Sequence, residues 1–234
     1  MAAQTALITL SHGSRHPGAQ PGVSELTQAA ARQLGVTGVD AHLEFDTPDL
    51  TAAARQLAEQ GYSRAVVVPT LFTTAFHATH DVPEAIAAAR AATGLELIPA
   101  AGLGQGRDVA AVLAARALVC APRTRHIILY PVGTSNEEAA GKTVALGRDV
   151  EKLTGVPVTT VPATGVGELV GADGIKAVAS EDAHLLPLFV TRGLLLDRVH
   201  RMWPGTISAP LGADLAHIIA ARFRAAQSLS HAKA

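Results

Sequence analysis

Four side chains able to bind a metal or move a proton lie just past apolar runs in the first part of the chain. His12 ends the run Leu7-Ile8-Thr9-Leu10-Ser11 and opens a small polar loop, Gly13-Ser14-Arg15. Glu44 lies near the end of the run 39–45, and His77 and His80 sit in a long segment behind the valine-rich run 65–69. Imidazole with carboxylate suits a borderline divalent metal such as cobalt, iron, nickel or zinc. Neutral imidazole also accepts protons, because an unperturbed histidine titrates near ~6.5. Any one of these residues alone reads equally well as an ordinary loop residue or cap. Their shared position beyond strand ends is what points to a site. On an extended strand His42 and Glu44 would share a face, although a charge at a strand end is often merely solvated. His16 and His80 have the weakest case and are expected to be exposed.

The elements that must hold these residues alternate. Apolar runs at 6–10, 39–45, 65–69 and 95–99 read as buried parallel strands. Helical patterns at 23–34, 51–60, about 82–92 and 107–120 follow them. Gly35 and Gly61 stand as C-terminal stops, and Asp81-Val82-Pro83-Glu84 reads as a helix start with Asp81 as N-cap. After Ala121-Pro122-Arg123 the pattern begins again: strands at 126–130 and 158–161, weaker ones at 184–189 and 206–208. Ser135-Asn136-Glu137-Glu138 opens a helix in this half, and Gly155 ends it. Pro187-Leu188-Phe189-Val190-Thr191 resembles Pro69-Thr70-Leu71-Phe72-Thr73, and Leu211-Gly212-Ala213-Asp214 introduces a last helix as Gly104-Gln105-Gly106-Arg107 does. A period near 120 residues implies duplication of a small α/β domain. The expected architecture is α/β: two similar three-layer αβα domains with parallel sheets, residues 1–121 and 122–234. In open sheets of this kind, ligands bind outside the carboxyl ends of strands, where His12 and His77 fall after neighbouring strands.

Composition bounds the rest. The 234 residues carry a formal net charge of -1, which argues against a nucleic-acid footprint. The single Cys120 excludes an intrachain disulfide. The start lacks a signal-peptide pattern, and no run approaches the roughly 20 apolar residues of a spanning helix. A cytoplasmic chain with no membrane partner is expected, as a monomer built like a pseudo-dimer. Gly102-Leu103-Gly104-Gln105-Gly106 has neither dinucleotide nor P-loop spacing and reads as a tight turn. Ser14 beside His12 invites a hydrolase reading, but the nucleophile-elbow pattern is missing.

These residues carry a family resemblance. Ser11-His12-Gly13-Ser14-Arg15-His16-Pro17-Gly18-Ala19 resembles the opening motif of the class II chelatases, the sirohydrochlorin cobalto- and ferrochelatases. Leu43-Glu44-Phe45-Asp46-Thr47-Pro48 is similar to their second motif, and His77-Ala78-Thr79-His80-Asp81-Val82-Pro83 to their third. Order and spacing of all three agree, and the second half is similar to the degenerate copy of longer, two-domain members. The resemblance implies insertion of a divalent metal, Co2+ or Fe2+, into sirohydrochlorin on the way to sirohaem or cobalamin. Metal and tetrapyrrole are then substrates, and no organic cofactor is needed.

Residue by residue, His12 and His77 match the family's metal-handling histidines and Glu44 its glutamate. Val132 and Leu195 stand where the second half would carry those histidines, so one complete site is expected, with the second half as the other wall of its cleft. Arg15 and Ser14 are placed for the substrate's carboxylates; Leu71, Phe72 and Phe76 offer apolar contact for its flat face, or read equally well as core. Arg192 and Arg198 are possible further carboxylate partners. A non-catalytic metal or tetrapyrrole carrier would use the same residues without accelerating metalation; an α/β hydrolase is the third reading.

Overall fold

The computed structural model describes residues 5–73 and 80–231. In chain order its elements are β1 (Thr5–Ser11), α1 (Ala19–Leu34), β2 (Gly38–His42), α2 (Leu50–Glu59), β3 (Arg64–Pro69), α3 (Val82–Thr93), β4 (Glu96–Pro99), α4 (Arg107–Cys120) and β5 (His126–Pro131). There follow β6 (Gly133–Thr134), α5 (Glu137–Thr154), β7 (Val158–Thr160), β8 (Thr164–Gly165), α6 (Gly171–Val178), β9 (Ala183–Leu188), α7 (Leu194–His200), β10 (Thr206–Ile207) and α8 (Ala216–His231). No helix among the described residues is long and apolar enough to cross a membrane.

Two compact units emerge, one made of residues 1–104 with 212–234, the other of residues 105–211. The first holds a parallel sheet in the order β2-β1-β3-β4. Apolar side chains on one face (Ile8, Leu10, Val67, Leu97) pack with Leu50, Leu57 and Ile86 of α2 and α3. Helices α1 and α8 cover the other face. The second unit repeats this order as β7-β5-β9-β10, with α6 and α7 on one face and α4 and α5 on the other. Each is a three-layer αβα module, and equal strand order carries the expected duplication.

The spatial units and the sequence repeats are different cuts. Helix α4 follows β4 in the chain but packs on α5 and β9, while α8 follows β10 and packs on α1, β3 and β4. Residues 1–121 and 122–234 stand as the proposed units of duplication; the compact units have each taken the helix that closes the other repeat.

Several local expectations change. Strand β2 stops at His42 rather than reaching Phe45, so Glu44 and Phe45 lie in a loop and Glu44 shares no strand face with His42. The Asp81 backbone is already helical and its side chain makes no cap bond. Asn136, rather than Ser135, caps α5, accepting from the Ala139 N–H at 2.9 Å. Helix α6 was not expected, because Gly171 and Gly174 lower helix propensity.

Both units use one device where the first and second strands end. Glu44 N–H donates to His12 O at 2.9 Å, and Thr164 N–H donates to Val132 O at 3.0 Å. The following residues, Gly13 and Gly133, have φ of +91° and +96°. A Cβ at Gly13 would overlap the Glu44 carbonyl, and one at Gly133 the Thr164 carbonyl. Gly35, the cap that follows α1, also has positive φ but nothing within 4 Å of its would-be Cβ. Gly35→Ala should therefore cost about 1 kcal/mol, the left-handed penalty alone. Gly133→Ala meets immovable backbone as well and should cost about 3 kcal/mol. Urea unfolding of both variants measures the difference, and equal costs would show that the crossover tolerates a side chain.

Candidate functional site

The first loop is built outward from β1. Ser11, the last strand residue, is buried, and its Oγ accepts from the Gly13 N–H at 3.2 Å. That contact turns the chain directly after His12, which is half-buried at the strand end. The loop then fastens itself. Ser14 Oγ accepts from His16 N–H at 3.1 Å, and His16 Nδ1 accepts from Gly18 N–H at 3.0 Å just before α1. His16 is thus half-buried and engaged in its own turn, not exposed as expected, whereas His80 is exposed.

The second loop is pinned at both ends. Leu43 N–H donates to Ser11 O at 2.9 Å, and His42 N–H to Pro48 O at 3.0 Å. Between them, Asp46 N–H donates to Glu44 O at 2.8 Å, closing a three-residue turn centred on Phe45. The Asp46 carboxylate accepts from Ser14 N–H at 2.8 Å and ties the second loop to the first. Glu44 is exposed, carried by the same turn whose backbone meets His12. The Phe45 and His12 rings lie 5.9 Å apart between centroids, and the Arg15 guanidinium sits 4.7 Å above the Phe45 ring.

Beneath the loops runs a buried polar chain. Ser11 Oγ is 2.7 Å from His42 Nδ1, and His42 Nε2 is 3.3 Å from Asp40 Oδ2. A neutral ring would accept from Ser11 through Nδ1 and offer Nε2–H to the carboxylate. Gln20 Nε2, from α1, donates to the same Asp40 oxygen at 3.1 Å. Burial works to raise the Asp40 pKa, but hydrogen bonding to His42, Gln20 and Ser24 outweighs it and holds the carboxyl below its ordinary value. Neither Asp40 nor Ser11 was singled out as a site residue from the sequence. A signal was available: Asp40 and His42 alternate on one face of a strand otherwise apolar, and Ser11 ends its neighbour.

The remaining candidates divide. Leu71 is half-buried and packs against the core of its unit, and Phe72 is half-buried beyond β3. His77 and Phe76 lie outside the described residues. Strands β1 and β3, which they and His12 follow, are hydrogen-bonded neighbours, as expected at a topological switch point. Among the described residues no three His, Cys, Asp or Glu side chains converge into a metal site. In the second unit Val132 is exposed, and Leu195 lines a cavity of about 50 Å³ with Tyr130, Thr164 and Arg198. That lining contains no histidine, cysteine or acid.

Residues 6–118, the half that carries both loops, match the CbiX family. The matched residues make up just under half of the chain and span β1 to β4 and most of α4. The sirohydrochlorin ferrochelatase of Bacillus subtilis is 32% identical over 82 residues, 35% of this chain and 31% of that protein. The sirohydrochlorin cobaltochelatase of Sulfurisphaera tokodaii is 31% identical over 74 residues, 32% of this chain and 59% of its own length. The chain thus spans from about a third to three-fifths of these curated relatives. The solved structure of SirB from Bacillus subtilis with Fe3+ superposes with a TM-score of 0.81 and 19% identity, covering 98% of both chains. The likeness of fold therefore extends over both units, while the CbiX match covers β1 to β4 of the first and, of the second, only residues 105–118.

The polar chain gives the first unit a defined acid response. Because the Asp40 pKa is lowered in the folded state, its contribution is complete above the unfolded carboxyl value of 3.8 and is lost as pH falls through the folded value. Asp40→Asn should be less stable than wild type at pH 7, with the gap closing below about pH 4. His42→Ala, which removes one partner of the buried carboxylate, should cost about 3 kcal/mol at pH 7. Denaturant unfolding across pH checks both, and a gap independent of pH would remove Asp40 as the titrating group.

Proposed function

We propose that the chain is a sirohydrochlorin chelatase, inserting Co2+ or Fe2+ into the tetrapyrrole. The observation that carries this reading is the coincidence of the CbiX match with the two interlocked loops that hold His12 and Glu44 at the ends of β1 and β2. Metalation requires a hydrated metal to shed water and two pyrrole N–H protons to leave. His12, with His77, is assigned to the metal, each imidazole offering one lone pair when neutral. Glu44 is assigned to proton transfer or to completing the metal's coordination, and its exposure suits a group that meets an incoming substrate. Arg15 answers the carboxylates on the macrocycle rim, with Ser14 shaping that loop. Leu71, Phe72 and Phe76 are assigned to apolar contact with the macrocycle.

The second unit is assigned a structural role. Its counterpart of His12 is Val132, which can neither ligate nor accept a proton, and the cavity beside it has an apolar lining with Thr164, Tyr130 and Arg198 as its polar members. Against the hydrolase reading, the Ser14 hydroxyl is engaged with the backbone of His16.

The test is purified protein with sirohydrochlorin and Co2+, Fe2+ or Ni2+ in turn, followed by absorbance. His12→Ala and His77→Ala should each reduce metalation about a hundredfold or more, with unfolding midpoints close to wild type. A protein that binds metal and macrocycle but does not accelerate metalation would be a carrier instead. Near-wild-type turnover in either variant would remove that histidine from the mechanism.

A further inference from the structure

The two units supply an internal control for the turn that follows β2. Glu44 and Thr164 are structural counterparts: each donates its N–H to the carbonyl of the residue after the first strand, and each presents its own carbonyl to the next glycine. The residue after Thr164 is Gly165, with φ of +89°; the residue after Glu44 is Phe45, with φ of +65°. Phe45 is the sole non-glycine residue with positive φ among the described residues. Glycine adopts this backbone without steric cost, whereas a bulky side chain there is strained. The second unit uses glycine at this turn, where a Cβ would also meet the Thr134 backbone, and the first holds an aromatic in its place.

Core packing does not explain the phenylalanine, because it is 53% exposed. Its neighbours are the residues of the candidate site. The His12 ring is 5.9 Å away at 33°, and the Arg15 guanidinium sits 4.7 Å above its face. Strain held at an exposed aromatic beside a functional group is the pattern of a binding element rather than of a structural one.

We infer that Phe45 is a substrate-contact residue, an aromatic platform that seats a flat, carboxylate-bearing macrocycle beside His12 while holding Arg15 over the rim. This rests on the chelatase reading for the identity of the macrocycle. The ring supplies apolar area for the π-face and fixes the guanidinium by cation–π contact, so that both halves of an amphiphilic disc are met by one turn.

The test compares wild type, Phe45→Gly and Phe45→Tyr in the full chain. It measures the thermal midpoint, binding of metal-free sirohydrochlorin by quenching of its fluorescence, and KM and kcat for Co2+ insertion. Phe45→Gly installs the residue that the second unit carries, so its midpoint should equal or exceed that of wild type. Its macrocycle affinity should fall about tenfold and KM rise in step, while Phe45→Tyr restores both. Phe45→Gly binding as tightly as wild type would overturn the inference, as would a failure of Tyr to rescue. A fall of several degrees in the Phe45→Gly midpoint would assign the ring to folding instead. If wild type binds the macrocycle through Phe45 yet never metalates it, the chelatase reading fails and the platform stands. If wild type does not bind the macrocycle at all, both fall.

Discussion

The close approach of two backbones at the ends of β1 and β2 underlies the rest of the candidate site. His12 O and Ser11 O accept from Glu44 and Leu43, which extends the pairing of the strands one step past their sheet. The geometry leaves no volume for a side chain between them, so Gly13 is obligatory and its neighbours are placed by covalent structure rather than by their own contacts. His12 and Glu44 are thereby carried on backbone fixed at a sheet edge, where positional precision is greatest and the cost of holding a ligand group is lowest. The Ser11–His42–Asp40 chain then braces this junction from below, so the polar residues inside β1 and β2 serve the loops above them.

The second unit repeats the crossover with Val132, Gly133 and Thr164 and has neither histidine nor acid at those positions. Backbone geometry and chemical equipment are therefore separable: the crossover occurs in both units, and the imidazole and carboxylate are present at only one of its two instances. This is why fold likeness can extend over both units while the family match ends at residue 118, before the second crossover.

Much of this was legible in the chain. Valine-rich runs announced β3, and Leu7-Ile8-Thr9-Leu10 announced β1, because strands buried on both faces need unbroken apolar stretches. The placement of His12 followed from the glycine-bearing knuckle behind such a run. The end of β2 was not legible. Phe45 continues an apolar pattern, and hydropathy cannot report that backbone donors at Leu43 and Glu44 are claimed by the neighbouring strand's last carbonyls. Nor could periodicity assign α4 and α8 to their sheets, since an alanine-rich face fits either one. His42 looked like a partner for Glu44 because alternation was extended past the true end of the strand.

The exchanged helices bear on the order in which the chain becomes a structure. Strands β1 to β4 leave the ribosome early, yet the helix that covers one face of their sheet beside α1 is α8, which begins at Ala216. More than a hundred residues must be translated between β4 and that helix, roughly ten seconds at ordinary elongation rates. During that interval the apolar surface destined for α8, including the outward face of β3 and β4, has no cover from its own chain. That face of the first sheet is therefore the last part of its unit to be closed as the chain is made.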